Sequence, residues 1–273
     1  MMIMRYPAVA GRFYPLEKKD LIKSIEACFE HDLGPGLPLN RGEKRSVRAA
    51  ISPHAGYAAS GMNAAHVYNR IAADGLPEAY IIIGPDHYGV PYEAVMCSDD
   101  YLTPLGPCKV HREITAELRK YIPDDCKAHR SEHSIEVQIP FIQYIDDDPK
   151  IVPIIMGRQD KGAAEMLSKV MRAVCKDHDV IVIASSDMAH YVPKHIGEQM
   201  NGLVLDRLES KDIDGMYSVI MQNEISVCGY GPMATAMMVA EPEKVEILKY
   251  SDSWDSLGYD KNSVVGYASA VMY

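Results

Sequence analysis

The segment IVIASSDMAHY at 181–191 runs an aliphatic stretch straight into two serines, an aspartate and a histidine. Two other aliphatic stretches end in the same way. The one at 47–52 passes into Pro53, His54, Ala55 and Gly56, and the one at 79–84 into Pro85, Asp86, His87 and Tyr88. Each places one imidazole just past an apolar run, so His54, His87 and His190 are candidates to meet at one site. Neutral imidazole is the commonest metal ligand, and two histidines plus one anionic group with open positions form a standard reactive non-haem arrangement. Asp86, Asp187, Glu132 and a thiolate are the candidates for the third ligand. Cys228 stands in SVCGYGPMATAM, where a glycine-containing turn leads into a helix whose N-terminus would lower a thiol pKa. Cys28, Cys97 and Cys175 lie in apolar or helical stretches and read as packing thiols. His31, His66, His111, His129, His178 and His195 lie in helical or polar stretches and read as solvated or partly buried side chains.

A fourth segment, SEHSIEVQIPF at 131–141, adds ionisable groups. Ser131 and Ser134 read as helix-start residues, and Glu132 and Glu136, four apart, would then share one face of an acidic first turn. His133 is placed to supply a proton or a hydrogen bond to something bound nearby.

Strands must hold these groups. Runs rich in Ile and Val at 47–52, 79–84, 151–157, 180–185, 245–250 and 264–271 read as strands. Helical spacing occupies 19–30, 62–73, 111–121, 133–145, 163–176, 195–209, 212–222 and 232–241. Strands that are apolar throughout and alternate with helices predict a three-layer α/β/α fold with a mostly parallel central sheet. In such a sheet ligands sit beyond the carboxyl ends of the strands, where His54, His87 and His190 fall. The glycine- and proline-rich stretch at 32–44 reads as a surface loop too early in the chain to separate two domains, so 1–273 is expected to be a single domain.

Composition narrows the function. A hydrophobic fraction of 47% over 273 residues supports a sizeable core. A net charge of −10, with 28 scattered basic residues, argues against a general nucleic-acid binder. No apolar run approaches a membrane span and no signal sequence is visible, so a cytoplasmic protein without a membrane partner is expected. The six cysteines contain no CxxC pair, which points to neither a zinc ribbon nor a disulfide scaffold.

PAVAGRFYP at 7–15, SPHAGYAASG at 52–61, GPDHYG at 84–89, EHSIEVQIPF at 132–141, SSDMAHY at 185–191 and CGYGP at 228–232 resemble, in order, the signature blocks of the Memo family, the AmmeMemoRadiSam system protein B. The resemblance spans nearly the whole chain. It implies the fold of the class III extradiol dioxygenases, which open catechol rings with dioxygen on Fe(II) held by two histidines and a glutamate. It implies that His54 and His87 match the two histidine ligands and that Cys228 stands where those enzymes carry their carboxylate. It further implies that His190 is the acid/base histidine, with Asp187 orienting its ring. A thiolate makes the site softer, favouring iron or copper, with zinc as a further candidate. Family members outside animals are often encoded with a radical SAM protein and an AMMECR1-like protein, which are the partners the resemblance implies.

Three functions follow as expectations. The first is a non-haem metal-dependent oxidoreductase of unidentified substrate, with His190, Asp187 and His133 serving the chemistry. The second is a non-catalytic peptide or small-molecule binder using a vestigial dioxygenase cleft, as animal members are thought to bind phosphotyrosine peptides. Arg12, Phe13, Tyr14 and Tyr57 would wall that cleft, although packing around a buried N-terminal segment explains them better. The third is a metal-dependent hydrolase, for which no G-x-S-x-G elbow offers support.

Overall fold

The computed structural model describes residues 4–273. All six expected strands are present, as β2 (Ala49–Ser52), β3 (Ala79–Pro85), β7 (Lys150–Met156), β8 (Val180–Ser185), β10 (Val245–Asp252) and β11 (Val264–Met272). Shorter strands join them: β1 (Met4–Arg5), β4 (Ala94–Met96), β5 (Asp100–Thr103), β6 (Gly106–Val110) and β9 (His190–Val192). The sheet runs β1-β5-β6-β7-β3-β8-β2-β11-β10, with β4 added on β7 and β9 on β11. Strands β6, β7, β3, β8 and β2 are mutually parallel, whereas β11 pairs antiparallel with both β2 and β10.

Helices cover both faces: α1 (Lys18–Glu30), α2 (Tyr57–Asp74), α3 (Arg112–Leu118), α4 (Ile139–Ile145), α5 (Lys161–Val174), α6 (Lys194–Glu209), α7 (Ile213–Gln222), α8 (Tyr230–Ala240) and the short α9 (Ser253–Leu257). Side chains of a strand alternate between faces, and β3 shows what this does. Tyr80 and Ile82 join a core with Leu21 and Phe29 of α1, Tyr68 of α2 and Phe141 of α4. Ile81 and Ile83 join a second core with Leu167 of α5, Leu208 of α6, Ile220 of α7 and Met233 of α8. Two cores on one sheet make the expected three layers. Among the described residues no helix is long and apolar enough to cross a membrane.

Three expectations need correction. The helix expected over 133–145 is a single 3₁₀ turn at Glu136–Gln138 followed by α4, because Glu132 turns back and its carboxylate accepts the Ser134 N–H at 2.8 Å. Cys97, read as a packing thiol, is joined to Cys126 in a disulfide across 29 residues of sequence. The bridge between Met96 and Asp124 sets the two cysteines side by side, which no local spacing signals. Cys28, Cys108 and Cys175 are free and buried.

His129, expected to be solvated or partly buried, is 1% exposed, with Nε2 at 3.0 Å from the Val95 carbonyl and Nδ1 at 2.8 Å from the Tyr101 hydroxyl. Burial above all lowers its pKa to about 4, against a hydrogen bond to Val95 that works the other way. The unfolded chain therefore binds this proton more tightly than the fold does. Stability from His129 is fully present above pH 6.5 and falls as pH drops towards 4, by on the order of 3 kcal/mol. Denaturation midpoints measured across that window should slope upward with pH, and His129→Gln should reduce the slope. An unchanged slope would show that His129 titrates normally.

Candidate metal centre

Strand β8 lies between β3 and β2, with Ser185 opposite Ser52 and Ala184 opposite Ile83. Three adjacent carboxyl ends therefore carry His87, Asp187 and His54 into one region. The loop containing Cys228 closes on the same region, and Gly229 permits it: a Cβ there would stand 2.5 Å from the Ser185 carbonyl oxygen and 2.7 Å from Ser186 Cβ.

Ser185 fixes His54. Its hydroxyl donates to the Ser134 carbonyl at 2.6 Å, which leaves its oxygen to accept from Gln138 Nε2 and from His54 Nδ1, both at 2.9 Å. The His54 proton thus sits on Nδ1 and the Nε2 lone pair is free. His54 is 2% exposed, and burial first, then the neighbouring His87 charge, lowers its pKa to about 3. It stays a neutral imidazole at any physiological pH.

Glu132 fixes His87 in the same manner. One carboxylate oxygen pairs with His87 Nδ1 and the other accepts the His87 N–H, each at 2.9 Å. Burial alone would raise Glu132, but His87 and the Ser134 N–H overcome it and hold the pKa at about 2. Burial would likewise lower His87, but the hydrogen bond and charge of Glu132 raise it above its ordinary value. The ionised carboxylate turns His87 Nε2 away from itself.

His133 completes a compact triad. Ring centroids lie 5.2 Å apart for His54 and His87, 5.4 Å for His54 and His133, and 4.5 Å for His87 and His133. One ring nitrogen from each lies within 4.8 Å of the other two. Burial, then the His54 charge, lowers His133 to about 4. Its ring packs edge-on against Phe13 at 4.9 Å. The His87 side chain is 28% exposed, so the triad is reached from solvent.

Cys228 borders this triad. Its Sγ lies 3.2 Å from His54 Nε2, the nitrogen whose lone pair is free, and accepts the Asp187 N–H at 3.1 Å. The expected lowering of its pKa is not found in the metal-free chain: burial, then the Asp187 carboxylate, pushes the thiol well above its ordinary value. A transition ion fits a donor set of three clustered imidazoles, His54 and His133 held neutral, with a sulfur that binds metals as thiolate beside His54.

The remaining sequence candidates fall differently. Asp86 is spent on its own turn, accepting from the N–H groups of Tyr88, Gly89 and Val90. Glu132 is the partner of His87 instead of a ligand. Asp187 accepts the His54 N–H at 2.8 Å, with Oδ2 4.0 Å from His54 Nε2, and does not orient His190. His190 opens β9, and its ring is held instead by Ser226: its Nδ1 pairs with the Ser226 carbonyl and its N–H with the Ser226 hydroxyl, both at 2.8 Å. Arg12 is exposed, Phe13 half-buried, and Tyr14 and Tyr57 buried, so only Phe13 meets the triad directly. Sequence spacing missed Ser185 and Gln138 as positioning groups, and read His133 as a source of a proton or hydrogen bond without placing it beside His54 and His87.

A family model described as Memo-like protein matches residues 5–271. A MEMO1 family protein of Sulfurisphaera tokodaii is 42% identical over 282 aligned positions, covering 98% of each chain. Another from Methanobrevibacter smithii is 40% identical, covering 98% of this chain and 99% of its own. The crystal structure of an uncharacterized protein from Escherichia coli K12 superposes with a TM-score of 0.57 at 13% identity, over 83% of this chain and all of that one, a likeness of fold. The chain belongs to the Memo family.

Proposed function

We propose that the chain is a metal-dependent oxidoreductase whose redox-active ion, iron or copper, is held by His54, His87 and Cys228. What carries this reading is the pair of fixed tautomers. Ser185 and Glu132 each accept a hydrogen bond from an Nδ1, which leaves the other nitrogen of His54 and of His87 facing outward; a ring nitrogen of each lies within 4.8 Å of the other, and the Cys228 sulfur lies 3.2 Å from His54 Nε2. A bound ion there supplies a redox couple linking oxidation of an organic substrate to reduction of dioxygen.

The chain's own residues supply the rest. Glu132 stays ionised and anchors His87 through Nδ1, while burial keeps His54 a neutral imidazole near neutral pH. His133, also neutral and flanked by Phe13, is positioned to hydrogen-bond a substrate on the solvent side. The Ser226 carbonyl takes the Nδ1 proton of His190 and leaves its Nε2 free to accept one.

Metal content after anaerobic purification tests the proposal, measured by mass spectrometry on wild type, His54→Ala, Cys228→Ser and His133→Ala. Near-stoichiometric iron or copper is expected in wild type and His133→Ala and is expected to be lost in the other two. Loss in His133→Ala with retention in Cys228→Ser would move the third ligand to His133. No metal in wild type, even on reconstitution, would overturn the oxidoreductase reading in favour of a peptide or small-molecule binder.

A further inference from the structure

A second cluster of ligating side chains lies at the other end of the sheet. Glu78 precedes β3 and His178 precedes β8, both at amino-terminal strand ends, whereas His54 and His87 lie beyond carboxyl ends. Strand β6 is staggered, so its last residue, Val110, pairs with Ile151 at the start of β7, and Ile151 in turn faces Tyr80. That stagger brings His111, the residue after β6, level with Glu78 and His178. His111 Nε2 and His178 Nδ1 converge on the same oxygen, Glu78 Oε1, at 2.9 and 3.0 Å. All three donor atoms lie within 4.8 Å of one another, and the two rings meet edge to face at 5.3 Å.

The surroundings hold this cluster in place. The Glu78 N–H donates to the Asp179 carbonyl at 2.8 Å, and the Asp179 N–H returns to Glu78 Oε2 at 3.3 Å, leaving Oε1 to face the imidazoles. Arg45 fixes Asp179 through a two-point ion pair. The two histidine side chains are only 11% and 15% exposed, while that of Glu78 is 44% exposed, so the cluster is built from the fold and still reached from solvent.

We propose that Glu78, His111 and His178 form a second metal site, for a divalent ion of the zinc class. Two imidazoles and a carboxylate are a donor set that zinc takes, leaving a fourth position to water. With bonds of about 2.0–2.1 Å, neighbouring ligand atoms of a tetrahedral zinc stand about 3.3 Å apart, so the observed 2.9 and 3.0 Å require separations to widen by only a few tenths of an ångström. His111 Nδ1 now accepts the Ile114 N–H, the cap of α3, at a long 3.3 Å. Ligation through Nε2 places the ring proton on Nδ1 and gives up that weak contact. The ion clamps the starts of β3 and β8 to the junction of β6 and α3, and its binding is independent of the site at His54 and His87.

Zn²⁺ titrated calorimetrically into the metal-free His54→Ala/His87→Ala chain isolates this site. One equivalent is expected to bind and to raise the melting temperature. Adding His178→Ala should weaken binding at least about tenfold. His111→Asn should do the same while keeping an acceptor that caps α3. Superimposable titrations with and without these substitutions, or no uptake in the starting variant, would overturn the proposal. A crystal of the wild-type protein soaked in Zn²⁺ should show an anomalous peak at the zinc edge among the three side chains; none there at saturating zinc would also overturn it.

Discussion

Replacing Glu136 by alanine is expected to cost about 3–5 kcal/mol of folding stability, the range for breaking a buried ion pair by removing one partner. Glu136 is 1% exposed and its carboxylate binds four groups at once. It pairs with the Arg5 guanidinium and accepts the Ala8 N–H at 2.8 Å, the Val9 N–H at 3.0 Å and the Tyr14 hydroxyl at 2.6 Å. Truncation leaves the Arg5 charge buried without its counterion and orphans two backbone donors, each of which carries its own desolvation penalty. Domains of this kind are stable by only about 5–15 kcal/mol, so the loss is a large fraction of the whole. The effect should extend to the metal centre, because the segment that Glu136 ties down also lays Phe13 against His133, and its Phe13 carbonyl accepts the Tyr57 N–H at 2.8 Å. Denaturant titration checks the prediction, and a loss below about 1 kcal/mol would show that solvent or a rearranged partner replaces the carboxylate.

That ion pair also shows where sequence reading stops. Arg5 and Glu136 are 131 residues apart, and a glutamate in an apparent acidic first turn gives no sign that its partner lies near the N-terminus. The central strands were legible because a strand covered on both faces must be apolar at every position, as AYIIIGP in β3 is. Strands β5, reading DYLT, and β6, reading GPCKV, carry polar residues and a glycine and proline and lack that signature. The meeting of His54 and His87 was legible because carboxyl strand ends are where parallel sheets gather ligands. Glu132 and Ser185 as partners of those histidines were not, since each contact joins separate elements. For Asp187 and His190 a spacing of three suggested a hydrogen bond, but His190 begins strand β9 and its Nδ1 pairs with the Ser226 carbonyl, while Asp187 accepts the His54 N–H.

The second large effect concerns His190, and the corrected geometry makes the expectation sharper. Its imidazole is positioned by the Ser226 carbonyl at 2.8 Å, which fixes the proton on Nδ1 without help from Asp187. A positioned general base contributes about 10²–10⁴-fold to a proton-transfer step. If the chain oxidises a substrate as proposed, His190→Ala should lower metal-dependent oxygen consumption by about that factor while leaving metal stoichiometry unchanged. His190 forms no part of the close histidine triad, so its loss removes no donor from it. Asp187→Asn separates the two roles: it alters the carboxylate that accepts the His54 N–H, and so should change metal affinity more than the pH profile of turnover. Oxygen consumption in His190→Ala equal to that of wild type, at equal metal content, would remove His190 from the proton path. Metal loss in the same variant would instead place its imidazole among the groups that hold the ion.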